Sequence, residues 1–252
     1  MTISPQERAR IYVLILLISA IAWLMILVNP GSMMTLAHCP VIDSGASPAS
    51  FRMLLAMNPV SSLMAGWAVM LVAMMSPTLI APISHILERS FKSRRARSVT
   101  IFVLGYAAIW MTAGGVLLAA KLVLTWFAPQ SYLPAAVVGL IAFVWQCSPI
   151  KQRCLNRGHN HKELAAFGVA ADLDAVRFGV THAAWCVGSC WALMLFPILL
   201  SDGHFAAMAA VTFLMISERL EQPRPLGWAL RVRGKLMRIM VAQTRIRLHS
   251  LR

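Results

Sequence analysis

Acidic side chains are nearly missing from this chain. Nine Asp and Glu stand against 23 Lys and Arg in 252 residues, and charged residues of both signs make up 13% of the sequence. None of the carboxylates falls inside the long apolar runs. Those flanking the runs, such as Glu88, Asp202 and Glu218, show no paired spacing, so the two-carboxylate arrangements of acid–base catalysis are excluded and no enzyme is expected. Glu218 reads instead as an interfacial partner for Arg219 or Arg89. A glycine-rich phosphate loop is absent, as is any loop long enough for an ATP-binding domain, which excludes an ATP-driven pump. Strict apolar–polar alternation is also lacking, which argues against a transmembrane β-barrel.

Hydrophobic residues, by contrast, form 59% of the chain, and the mean hydropathy is +0.70. Several continuous apolar runs reach the roughly 18 to 20 residues that cross about 30 Å of hydrocarbon as a helix. The expected fold class is all-α, a polytopic membrane helix bundle of six spans at 11–28, 61–83, 99–120, 132–149, 179–200 and 204–217. The first span follows a short basic region, but it is longer than a signal core and lacks a small-residue cleavage site, so it reads as an uncleaved helix. The turn "SDGH" between the last two spans predicts a tight helical hairpin. With the N-terminus inside, all Lys and Arg except Arg52 and Lys121 fall on cytoplasmic segments, as the positive-inside rule requires. Both termini are therefore expected in the cytoplasm and the protein in a bacterial-type inner membrane. The net charge of +14 reports this topology, and no nucleic-acid partner is expected.

Two units follow: residues 1–220 as the membrane bundle and 221–252 as a basic amphipathic cytoplasmic tail. The tail interleaves basic residues with Leu226, Trp228, Leu230, Leu236 and Ile239, a pattern suited to a surface helix on anionic lipids. The segment 29–60 reads as an exterior loop, and 150–178 as an inner loop carrying Cys154, His159 and His161 among basic residues.

The stretch "HAAWCVGSCWALM" carries the chemistry. At 3.6 residues per turn, His182, Cys186, Cys190 and Met194 form a ladder on one face of the fifth span, about 6 Å apart along its axis. Imidazole, thiolate and thioether are ligands for soft or borderline metals, with copper favoured by sulfur and zinc the less favoured alternative. In the second span Met70, Met74 and Met75 repeat the sulfur spacing at about the same depth, with Pro77 and Pro82 interrupting the helix inward of them. His38 and Cys39, next to Met33 and Met34, place further soft ligands in the outer loop. Each Cys or Met taken singly also suits ordinary core packing, and His182 also suits a helix-end cap. A titratable residue inside a span is nonetheless a functional-site hypothesis by default.

The motifs "AMMSP" (Ala73 to Pro77), "GYAAIW" (Gly105 to Trp110), "WQCSPIKQRCL" (Trp145 to Leu155) and "CVGSCWALM" (Cys186 to Met194), in that order, resemble the DUF2182 family of predicted metal-binding integral membrane proteins over roughly residues 60–220. The resemblance implies metal binding. It also marks two departures: Ser189 stands where the family has a third cysteine, and Gly158 where it has a second cysteine in the inner loop. The leading expectation is a non-catalytic membrane protein that binds, delivers or passively passes copper. The alternative is an accessory or assembly subunit whose cysteine face packs against a partner in a larger membrane complex.

Overall fold

The computed structural model describes residues 4–28, 48–128, 131–160, 163–165, 167–200 and 202–229, together with residues 238, 241, 242 and 244. His38, Cys39, His161 and most of the basic tail lie outside the described residues. Among the described residues the chain is all-helical: α1 (Pro5–Val28), α2 (Pro48–Met57), α3 (Val60–Met75), α4 (Ile80–Arg89), α5 (Arg95–Phe127), α6 (Leu133–Cys147), α7 (Pro149–Gly158), α8 (Gly168–Leu199) and α9 (His204–Leu220). Four spans are long and apolar enough to cross a membrane, namely α1, α3 with α4, α5 and α8, and the bent pair of α6 and α7 adds a fifth candidate.

Local chemistry sets the helix ends. Ser4 and Glu7 form a reciprocal capping box, each backbone N–H donating to the other's side chain at 3.2 Å. Pro149 opens α7 while the Ser148 hydroxyl accepts from the Lys151 N–H at 3.1 Å. The expected hairpin between α8 and α9 is present. Gly203 takes a left-handed φ of 73° as the N-cap of α9, a conformation that costs glycine nothing.

Pro77 lies in a 3-10 turn, Ser76–Leu79, that joins α3 to α4. A proline there leaves the carbonyl of Ala73 without its helical donor, and the Ser19 hydroxyl of α1 donates to it at 2.6 Å. The Ser76 hydroxyl donates to Val72 O at 2.6 Å, and that of Thr78 to Met75 O at 2.7 Å. Hydroxyls thus satisfy backbone groups around the break, as an apolar surround requires.

Two expected loops are helical. Residues 48–57, read as part of the outer loop, form α2, because Phe51, Leu54 and Leu55 recur at helical spacing; Leu54 is buried and Phe51 packs on Trp126 with ring centroids 5.5 Å apart. Much of 150–178 is likewise ordered. The chain bends by 66° after Cys147, and α7 folds back against α8, which itself begins at Gly168, well before the expected 179.

The bundle has two poles. At one, Arg8 pairs with Glu88 at 2.6 Å, Arg95 with Glu7 at 3.6 Å, and Arg94 and Arg97 both with Asp172 at 2.7 Å. These pairs gather the starts of α1, α5 and α8 and the end of α4. At the other, the Tyr132 hydroxyl donates to Asp202 at 2.8 Å, joining the start of α6 to the α8–α9 turn.

The most extensive helix contact joins α5 to α8. Glycine permits it: a Cβ on Gly179 would collide with the Phe102 carbonyl oxygen, and one on Gly105 would lie 3.2 Å from Val176 O. On the far side of α5, Gly114 makes room for the Trp67 indole, whose N–H donates to Trp110 O at 3.1 Å.

Candidate metal centre

The core around α8 is unusually rich in sulfur. Met70, Met74 and Met75 of α3, Cys186, Cys190 and Met194 of α8, and Met208 and Met215 of α9 belong to one buried cluster, each at most 2% exposed. Six of the residues expected as metal ligands thereby belong to one buried core, and α9 adds two methionines that the sequence reading did not select. Their seven-residue spacing on the last apolar run is the signal that could have found them. Helix α3 packs mainly on α1 and α5, while α8 lies against α5, α6, α7 and α9.

The ladder is chemically graded along α8. His182 is buried in an aromatic surround, its ring centroid 5.8 Å from that of Phe178, 6.1 Å from Tyr106 and 6.2 Å from Phe102. One turn on, the Cys186 sulfur lies 3.4 Å from the Tyr106 hydroxyl. The next rung, Cys190, has its sulfur 3.3 Å from the Ser189 hydroxyl, which donates to the Cys186 carbonyl at 2.8 Å. Both thiols are free of disulfides. Among the described residues no group of three or more His, Cys, Asp or Glu side chains is arranged to hold a metal ion. The sulfur donors of this core are thiols and thioethers, types that suit Cu(I) better than Zn(II).

Cys154 belongs elsewhere. Its sulfur lies against Gly188, where an added Cβ would approach it to 2.8 Å, and Gly188 is nearly half a turn of α8 away from the Cys186–Cys190 face. It is buried, not held in a solvated loop as the basic sequence around it implied. The Trp145 indole donates to Gly188 O at 3.1 Å on the same side. His159 also departs from its expected loop setting. One ring nitrogen lies 2.8 Å from Leu155 O and the other 3.1 Å from Arg219 O, tying α7 to the end of α9.

The charged residues near α7 are a second correction. Glu218, expected to pair with Arg219 or Arg89, instead binds the Lys151 ammonium at 2.8 Å, with the side chains 1% and 0% exposed; Gln146 donates to the same carboxylate oxygen at 3.0 Å. The bend after Cys147 carries Lys151 into the bundle, where only an opposite charge makes its burial tolerable. Arg219, left without that carboxylate, turns inward. Its Nη1 fills the space above Gly158, where a Cβ would collide with it.

Among the described residues the protein is all-helical, with several membrane-length apolar helices and a buried sulfur-rich core. The family comparison is more specific. Residues 64–240 match the model of the copper chaperone family PpoB2, and the chain belongs to that family. No curated protein and no solved structure matches it.

Proposed function

We propose that this protein is a membrane-embedded, non-catalytic carrier that holds Cu(I) between Cys186 and Cys190, with thioether support from Met74 and its neighbours Met70, Met75 and Met194. The observation that carries this reading is the pair of thiols one helical turn apart in a sulfur-rich core that excludes water. Thiolate and thioether donors stabilise Cu(I), and a dry, aromatic-walled surround protects it from oxidation and exchange. His182 stands one turn further along the ladder, in position to pass the ion toward the pole rich in arginine.

In this reading the bundle lies in a bacterial-type inner membrane with the arginine-rich pole toward the cytoplasm. The alternating direction of the helices between the two poles supports six crossings, with α6 and the short α9 supplying the last two beside the four longer spans. His38 and Cys39 are then on the outer side as an entry point, and the basic tail rests on anionic lipid. Copper is cargo, handed to or taken from a partner protein.

The test is metal content. The protein is purified in mild detergent without chelator, offered Cu(I) under reducing conditions, and compared with the Cys186→Ser/Cys190→Ser double variant by plasma mass spectrometry. Near-stoichiometric copper that disappears in the double variant is expected. Copper-free wild-type protein that stays copper-free would overturn the reading and leave an assembly subunit, which co-purifying partners would reveal.

A further inference from the structure

We propose that His204, with the thioethers of Met208 and Met194, forms a second, thiol-free site for Cu(I) at the outer end of the bundle, from which the ion passes to Cys190. The proposal rests on the reading that Cys186 and Cys190 hold copper. In the sequence His204 reads only as the last residue of the expected turn 201–204. In the structure it opens α9 directly after Gly203 and is 9% exposed. Its ring is set against that of Phe205, with centroids 3.9 Å apart. Its Nε2 is buried and has no hydrogen-bond partner. Such a nitrogen costs free energy that a bound group recovers, and the acceptor nitrogen of a neutral imidazole is the atom that metals take.

Sulfur lies one turn deeper. Met208 is fully buried on the same helix; residues four apart are neighbours, and helical side chains lean toward the N-terminus, so the Met208 thioether leans back toward His204. Across the hairpin, α8 and α9 run antiparallel with the same rise of about 1.5 Å per residue. Met194 stands five residues before Leu199, the last of α8, and Met208 four after His204, the first of α9. The two methionines therefore lie at about the same depth, and both belong to the buried sulfur cluster. The register thus gathers one imidazole and two thioethers at the outer end of that cluster, with Cys190 one turn of α8 further in.

Thioethers select Cu(I), and imidazole also suits copper. All three donors are neutral, so they hold a monovalent ion less firmly than thiolates do. An ion that moves through a protein needs such a step, favourable enough to enter and weak enough to leave. Met194 is the rung shared with the thiol site, and Cys190 is the next donor along α8.

The test follows the histidine directly. Full-length protein with isotopically labelled histidine nitrogens is titrated in detergent with Ag(I), a redox-stable stand-in for Cu(I), and observed by nuclear magnetic resonance. The His204 signal, assigned by its absence from His204→Gln, is expected to shift with Ag(I) in the wild-type chain and also in Cys186→Ser/Cys190→Ser, where the thiol site is gone. Met208→Leu and Met194→Leu conserve volume, and each should weaken the apparent affinity of that response roughly tenfold. Silver here should wash out with the free ion, whereas silver on the thiols stays. A His204 signal that Ag(I) leaves unmoved, in wild-type protein whose thiols retain silver by plasma mass spectrometry, would overturn the outer site and leave the copper reading standing. An unmoved signal in a chain that retains no silver would overturn both, and a moving signal in such a chain would overturn the passage to Cys190 together with the copper reading. Should His204→Gln fail to fold, the methionine variants decide: if neither weakens any silver-responsive histidine signal, the site does not exist.

Discussion

Helices α1 and α8 are both long enough to cross a membrane, yet they are opposites in composition and place. The apolar window of α1 is the most hydropathic of the four and only 22% buried within the protein, whereas that of α8 is the least hydropathic and 61% buried. In water this order would be paradoxical; in lipid it is the expected one. Helix α1 exposes Val13, Leu14, Leu17, Ile21 and Leu24, the surface that a helix facing hydrocarbon on most of its circumference requires. Helix α8 is screened by its neighbours, so it can carry histidine, cysteine and serine whose polar atoms find partners inside the protein. Burial by protein, not by lipid, is what makes room for chemistry.

The sharpest break in this contrast is Cys186→Ser/Cys190→Ser, which should abolish copper retention outright while α1 and the bundle persist. Next comes Gly179→Val. A β-branched side chain at that crossing meets the Phe102 backbone, which cannot move as a rotamer can, so a loss of at least about 1–3 kcal/mol is expected, read as a lower midpoint in detergent thermal unfolding with helix content monitored by circular dichroism. Met74→Leu should be milder. It conserves volume, so stability should change by less than about 1.5 kcal/mol, while removal of one thioether weakens Cu(I) retention several-fold in a competition titration with a chromogenic chelator. A wild-type affinity in Met74→Leu would show that α3 contributes packing alone. Smallest of all is Leu17→Val on α1, expected within about 0.5 kcal/mol and without effect on copper. A large effect there would mean that α1 faces a protein partner instead of lipid.

The helical class, the four apolar helices of membrane length and the α8–α9 hairpin were legible in the residues, because they depend on local hydropathy and turn chemistry. The loops at 48–57 and 150–178 were misjudged for a shared reason. Short helices that owe their order to packing on a neighbour carry little periodic signal of their own, as α2 on Trp126 and α7 on Gly188 illustrate. The basic residues of 150–178 also suggested solvent, whereas Lys151 is buried by virtue of a carboxylate 67 residues away.

The sequence by itself determined that this chain is apolar helices bearing a row of soft ligands, since those properties are written in residue type and interval. Only the tertiary structure decided which ligands share a core. It brought Met70, Met74, Met208 and Met215 into one buried cluster with the two thiols, set Cys154 against Gly188, and gave Glu218 to Lys151 while Arg219 packs over Gly158. Such choices depend on how helices cross and on which buried charges cancel, and both are settled between segments distant in the chain.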